Sequence, residues 1–208
     1  MVIGFVFGQI FLFGAVGGID SNERIGPCIR GFNVESKLYM TSDEGVWFPQ
    51  YRNRHWNNKR YSCHTLNERV SYDDTDHILE ADSWFTKDGK PMKNSYTQTY
   101  TQPKRGVFID KEELPGYGEY EVKNFIIKLT PEYRVRYVCT NLQKASKNDG
   151  PVVYIETRNM TPEVEVIRKA VADVRNAGIS VVLDRIVQKG CIRPLDHYGY
   201  REFGASGA

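Results

Sequence analysis

The chain has 208 residues, which suits one large domain or two small ones, and we treat it as one domain. Its hydrophobic fraction of 40% and charged fraction of 26% are typical of globular proteins and argue against a disordered or fibrous chain. The 28 basic and 26 acidic residues are mixed along the sequence and leave a formal charge of +2, so charge indicates neither nucleic acid nor a membrane surface as a partner.

The N-terminal stretch MVIGFVFGQIFLFGAVGGI contains no charged residue and ends in the small residues Ala15, Gly17 and Gly18. This pattern is typical of a secretory signal peptide, so we expect residues 1–18 to be cleaved and the protein to be secreted and extracellular, without stable membrane insertion. An uncleaved signal anchor is the alternative, because the stretch lacks an N-terminal Lys or Arg and is barely long enough to cross a bilayer.

Four cysteines, Cys28, Cys63, Cys139 and Cys191, are spaced too widely for a CxxC metal or redox motif. In an exported protein an even number of cysteines indicates disulfides, here two. Four cysteines allow three connectivities, and their spacing alone does not choose among them.

Eight segments after the leader have the pattern of short β-strands separated by turn residues such as KDGKP, LPGYG and KNDG. Strands joined by short connections favour an up-and-down meander that closes on itself. The predicted strands are one that begins at Trp47 and those at 60–72, 76–86, 94–102, 105–110, 119–129, 133–141 and 151–157.

Two of these segments alternate clearly. The segment 94–102 places tyrosine and glutamine on one face, which suits either a polar-aromatic cavity wall or an ordinary wet surface. The segment 133–139 is predicted as a half-buried strand, with Tyr133, Val135, Tyr137 and Cys139 on the buried face and Arg134 and Arg136 opposite.

One helix is predicted at 162–177, with Thr161 as its N-cap, Pro162 at its first position and Gly178 just after its end. A strand-like run at 180–186 follows. We expect the barrel domain to span 19–191 and the Gly-rich tail at 192–208 to be flexible. The apolar stripe of the helix is predicted to comprise Val164, Ile167, Ala170, Val171 and Val174.

This layout resembles the lipocalin family. Three segments carry the resemblance: GFNVESKLYMTSDEGVWF with Gly45 and Trp47, LTPEYRVRYVC, and VVYIETRNMTPEVE with Arg158. The resemblance implies an all-β fold, an eight-stranded antiparallel up-and-down barrel with one C-terminal flanking helix. It also implies that Arg158 packs over the indole of Trp47 as a structural plug at the closed end, a contact worth about 0.5–2 kcal/mol.

The cysteines make the chain similar to the group of lipocalins that includes bilin-binding protein, apolipoprotein D and the crustacean carotenoid carriers. The resemblance to that group implies disulfides between Cys28 and Cys139 and between Cys63 and Cys191. It also implies a non-enzymatic carrier of a small hydrophobic ligand, such as a carotenoid, bilin, retinoid or lipid, in a protein that is able to form homo- or hetero-oligomers. The expected ligand-binding residues are Tyr96, Tyr100, Tyr120, Tyr137 and Trp84, because tyrosine packs on apolar chains while its hydroxyl holds a polar end group.

Two alternatives stay open. A lipocalin-type isomerase needs a free barrel cysteine, and a lipocalin that binds small amines needs inward acids, for which Glu80, Asp82 and Glu121 are the candidates. The four histidines have no metal-ligand spacing; of them only His64 suggests a haem ligand, and a barrel-wall role is favoured for it. We therefore predict no cofactor and no metal, and the triplet NMT makes Asn159 a candidate glycosylation site.

Overall fold

A computed structural model of the chain describes residues 27–28, 44–53, 61–73, 76–104, 106–114, 118–141 and 150–191. The expected signal peptide at 1–18 and tail at 192–208 lie outside these residues. In chain order the elements are β1 (Gly45–Asn53), β2 (Tyr61–Asp73), β3 (Asp76–Lys87), β4 (Lys90–Lys104), β5 (Val107–Leu114), β6 (Gly118–Leu129), β7 (Tyr133–Thr140), β8 (Val152–Thr157), α1 (Val164–Asn176) and β9 (Leu183–Arg185).

The first eight strands form a closed antiparallel ring. Each strand from β2 to β8 pairs with the next, and β1 closes the ring because it pairs with both neighbours. On one edge of β1, Phe48 pairs with Thr157 of β8, and on the other edge Trp47 pairs with Leu66 of β2. This confirms the predicted eight-stranded barrel with one helix. Strand β9 adds a short ninth strand along the C-terminal end of β1.

The segment 186–191, which we call the seam segment, lies between the C-terminal half of β1 and the N-terminal end of β2, where these two strands no longer pair. The buried side chain of Gln188 joins the two strands, because its Nε2 donates to Pro49 O of β1 and to His64 O of β2, each at 2.7 Å. The backbone adds hydrogen bonds from Ile186 N to Gln50 O and from Cys63 N to Val187 O, each at 2.8 Å.

Helix α1 begins two residues later than predicted. Its N-cap is Glu163, which makes no side-chain cap hydrogen bond, so the assignment of Thr161 as N-cap and of Pro162 as first helical residue was wrong. The reason is local: the N–H of Thr161 donates to Asn159 Oδ1 at 3.0 Å, so the chain is still turning at that point. At the other end Gly178 has a φ of 80°, as the predicted stop at this glycine requires.

The apolar stripe of α1 also differs from the prediction. Val164 was expected to be buried but is 86% exposed, whereas Val166, absent from the prediction, is buried together with Ala170 and Val174. Residues 164 and 166 lie about 200° apart around a helix, so they occupy opposite sides. Ile167 and Val171 are partly buried against the same core.

Strand β7 is buried on both faces, which corrects the prediction of a half-buried strand. Its outer face, with Tyr133, Val135 and Tyr137, packs against α1 in one apolar cluster. Its opposite face, with Arg134 and Arg136, points into the barrel instead of into solvent. Alternation of apolar and charged residues indicates a wet face only when the charges lack partners inside the fold.

The disulfides join Cys28 to Cys139 and Cys63 to Cys191, the pairing that the family resemblance implied. The first fixes the segment before β1 to β7, and the second fixes the end of the seam segment to β2. Within the part of the chain that the structure describes, no helix has the length and hydrophobicity needed to cross a membrane.

Candidate functional site

The inner faces of the strands are identified by contacts that cross the barrel. Arg134 of β7 binds Glu68 of β2, although β1 and β8 lie between these strands in the ring, so both side chains point inward. Because paired residues share a face and faces alternate along a strand, the register assigns the rest. The inner face comprises positions 79, 81, 83 and 85 of β3, 108 and 110 of β5, 120, 122, 124 and 126 of β6, 134, 136, 138 and 140 of β7, and 152, 154 and 156 of β8.

Trp47 forms the base of the barrel and is fully buried. The guanidinium carbon of Arg158 lies 3.5 Å from the centre of the Trp47 ring system, the arrangement that the resemblance implied, and Arg158 Nη1 donates to Val46 O at 3.1 Å. A second guanidinium, that of Arg134, lies 4.5 Å from the same centre. The indole is therefore held by two cations.

Gly45 is required beside this base for two reasons. Its φ of 100° lies in a region that side chains rarely adopt. A Cβ at this position would lie 2.8 Å from Arg158 Nη1. The glycine of the Gly-x-Trp motif thus lets the backbone turn into β1 while the guanidinium approaches the indole.

A network of four buried charges lies directly above the base: Arg134, Arg136, Glu68 and Glu156. Arg134 donates to Glu68 through two nitrogens, at 2.5 and 2.9 Å, and through Nε to Glu156. Arg136 donates to Glu156 through two nitrogens, at 2.7 and 2.5 Å. Paired carboxylates and guanidiniums satisfy one another here, as buried charges require.

The electrostatics of this network fix its protonation. Burial alone would raise the pKa of Glu156, but Arg134 and Arg136 outweigh that effect and lower the pKa to about 2. Burial would likewise lower the pKa of Arg136, and Glu156 reverses the direction, so the net effect is to raise it. Glu156 and Arg136 are therefore both ionised at neutral pH.

His64 belongs to the barrel wall, as favoured from the sequence. Its Nε2 lies 3.0 Å from Ser83 Oγ, and its ring meets the edge of Phe85. Burial lowers the pKa of His64 to about 3, so the imidazole is neutral at neutral pH. Among the described residues no group of three or more His, Cys, Asp or Glu side chains is arranged to hold a metal ion.

Above the charged network the described side chains of the inner face are mainly apolar, with Asp110 of β5 and Asn124 of β6 among the buried polar ones. Asn124 lies at mid-height, where its Cα pairs with that of Phe108 on one side and that of Val138 on the other. Asn124 is 5% exposed, and its Oδ1 has no hydrogen-bond partner. The remaining buried side chains of this region include Ala81, Ser83, Val122 and Val152.

The structure places the expected ligand-binding residues on different faces of their strands. Tyr120 is buried on the inner face of β6. Tyr137 packs under α1 on the outer face of β7, and Trp84 lies on the outer face of β3, with Lys93 Nζ 5.2 Å from the centre of its ring system. Neither of these two residues lines the interior. Each was assigned to the inner face of its strand, whereas the residues next to it in sequence are the ones that face inward.

Tyr96 and Tyr100 stay predictions. Their Cα atoms pair with those of Ala81 and His77 on β3, and their side chains lie outside the described part of the structure. Asn159 is exposed and its glycosylation also stays a prediction.

The structure bears on both alternatives. All four cysteines are in disulfides, so none supplies the free thiol that the isomerase alternative requires. Glu80, Asp82 and Glu121, the acids proposed for amine binding, lie on the outer face, where they form ion pairs with Arg69, Lys93 and Lys123. Among the acids of the inner face, Glu68 and Glu156 are occupied by arginines.

No protein-family model and no curated protein sequence matches the chain. Solved structures do. Apocrustacyanin C1 superposes with a TM-score of 0.54 at 15% identity, covering 86% of this chain and 98% of that one. Lobster apocrustacyanin A1 gives 0.53 at 16% identity with the same coverage, and the cockroach allergen Per a 4 gives 0.55 at 14% identity, covering 77% and 94%. With its closed eight-stranded barrel, its flanking helix and this similarity, the chain has the lipocalin fold.

Proposed function

We propose that the protein binds a small, mostly hydrophobic molecule inside the barrel and carries it outside the cell. The observation that supports this most directly is the division of the inner face. Its base is closed by Trp47 and the paired charges, whereas the described wall above is mainly apolar, as at Ala81, Val122 and Val138. An eight-stranded barrel is wide enough for one small ligand, and a concave apolar wall with few polar groups is the usual lining of a small-molecule site.

The resemblance to carotenoid and bilin carriers supports the same class of ligand. Carotenoids, retinoids and fatty acids are long apolar molecules with few polar atoms, and a bilin is a conjugated molecule with polar groups along it; both suit a mainly apolar wall that carries a few buried polar side chains. Tyr120, Tyr96 and Tyr100 are the proposed aromatic contacts. The predicted signal peptide at 1–18 and the two disulfides support an extracellular carrier.

The test is a titration of the purified protein with astaxanthin, biliverdin, retinol and a fatty acid, followed by quenching of tryptophan fluorescence. We expect saturable quenching by at least one compound. Ala81→Phe, which fills the inner face, should weaken that binding at least tenfold. The neighbouring change Asp82→Phe serves as the control, because residue 82 lies on the outer face. If no compound quenches saturably, or if both variants bind like the parent, the carrier function is wrong.

Secretion is tested separately. Expression of the whole chain in insect cells should release protein into the medium with an N-terminus just after residue 18. Protein that stays in the cell with Met1 intact would contradict the proposed localisation.

A further inference from the structure

Asn124 lies where a bound ligand would have to supply its hydrogen-bond partner. Its Oδ1 is buried and accepts no hydrogen bond, although buried side-chain acceptors in folded proteins are nearly always paired. An orphaned acceptor destabilises the protein unless something in the barrel donates to it. By contrast, the buried Asn53 is fully engaged, since its Nδ2 donates to Pro151 O at 2.8 Å and its Oδ1 accepts from Val153 N at 3.0 Å.

The described residues next to Asn124 in the wall are apolar. Its neighbours across the sheet, Phe108 and Val138, are apolar, and so are Val122 and Ile126, the next inner-facing residues on β6. The arginines lower in the barrel already bind carboxylates. An amide oxygen is thus presented at mid-height among apolar neighbours, and Asp110 of β5 is a second buried polar side chain of the same inner face.

From this geometry we propose that Asn124 selects ligands that carry a hydrogen-bond donor, a hydroxyl or an N–H group, on an apolar skeleton. The inference rests on the proposed carrier function and adds the chemical class of the ligand. A ligand whose only polar atoms are acceptors, such as an aldehyde or ketone, leaves Oδ1 unpaired and gains nothing from it. Bound at this depth, a carboxylate brings a negative charge against the same oxygen.

Retinol and retinal provide the test, because they share one skeleton and differ in that only retinol donates. The wild-type protein should bind retinol about fivefold more tightly than retinal, the difference that one net hydrogen bond of about 1 kcal/mol produces. Asn124→Leu should reduce the affinity for retinol to that for retinal. Asn67→Leu, the same change at a buried residue on the outer face of β2, should keep the preference.

A second measurement needs no ligand. Asn124→Leu should melt no lower than the parent, because it removes an acceptor that has no partner. Asn53→Leu should melt several degrees lower, because it breaks two buried hydrogen bonds. A fall in melting temperature for Asn124→Leu as large as for Asn53→Leu would show that the amide is already paired and would overturn the proposal.

The outcomes separate this inference from the function on which it rests. Equal affinity of the wild type for both retinoids, or a preference that survives Asn124→Leu, overturns the role of Asn124 and leaves the carrier function intact. Binding of other compounds of the panel without binding of either retinoid also overturns the role of Asn124 and leaves the carrier function intact. If no compound binds at all, the carrier function fails and the selectivity fails with it.

Discussion

Replacing Glu156 by glutamine tests how much the buried charges stabilise the barrel. The substitution keeps the size of the side chain and removes its charge, so Arg134 and Arg136 are left with Glu68 as their only carboxylate in the network. A pKa lowered from 4.5 to about 2 corresponds to about 3 kcal/mol of stabilisation of the carboxylate. Breaking a buried ion pair by removing one partner costs about 3–5 kcal/mol, which agrees.

The assay is urea unfolding at pH 7 with the disulfides intact, followed by tryptophan fluorescence. We expect Glu156→Gln to lower the free energy of unfolding by about 3 kcal/mol without changing its dependence on urea concentration. Glu165→Gln is the matched control. Glu165 also binds an arginine through both oxygens, Arg168 at 2.6 and 2.7 Å, but this pair is exposed on α1, so no measurable change is expected.

The lowered pKa of Glu156 also makes the free energy of unfolding depend on pH. The pKa of Glu156 is lower in the folded protein than in the unfolded chain, so its contribution is complete above pH 4.5 and is lost as the pH falls towards 2. Glu156→Gln should lack this loss. A variant that loses less than about 1 kcal/mol at pH 7, as expected of an exposed pair, would refute the view that burial makes this network strong.

The remaining predictions concern the base, the wall and the seam. Gly45→Ala should cost about 1–3 kcal/mol, because it combines an unfavourable φ with a clash against Arg158; an unchanged unfolding midpoint in urea would contradict the close contact. Trp47→Ala should cost about 3–5 kcal/mol as a large-to-small core change, and a melting temperature within a degree or two of the parent would show that the plug is dispensable. His64 has a pKa of about 3 when folded against 6.5 when unfolded, so between those values the unfolded chain binds the extra proton and the free energy of unfolding decreases as the pH is lowered, by up to about 1.4 kcal/mol per pH unit. His64→Gln should flatten the profile of unfolding free energy against pH. Gln188→Leu should lower the melting temperature by several degrees, because Pro49 O and His64 O lose their shared donor, and a calorimetric scan that matches the parent would mean that the backbone bonds alone hold the seam.

Much of the architecture could be predicted from the sequence, because strands separated by turn residues and a helix ended by glycine are specified locally. The strand predicted at 119–129 is observed as β6 (Gly118–Leu129), and that at 151–157 as β8 (Val152–Thr157). The disulfide pairing came from the family resemblance and not from spacing.

The interior could not be predicted, because residue type alone does not show what covers a strand. Arg134 and Arg136 have the pattern of a wet face, and only the contact with Glu68 across the ring shows that they are buried. A local signal was present, since the strand after Arg-x-Arg carries Glu156 at the paired position, where opposite charges stabilise each other. Asn124 gives no sequence signal, because its importance lies in the absence of a partner.

The seam segment also has a consequence for how the barrel is assembled. Its contacts join β1 and β2 to a part of the chain more than 120 residues further on, as in the bonds from Gln188 to Pro49 and to His64. Contacts so distant in sequence require closure of a large loop before they stabilise anything, so they form late and slowly. On the ribosome the ring from β1 to β8 emerges first, with the backbone groups of Pro49, Cys63 and His64 still exposed to water. Completion of this side of the wall therefore waits for residues 186–191, which makes the last part of the barrel to be synthesised the part that seals it.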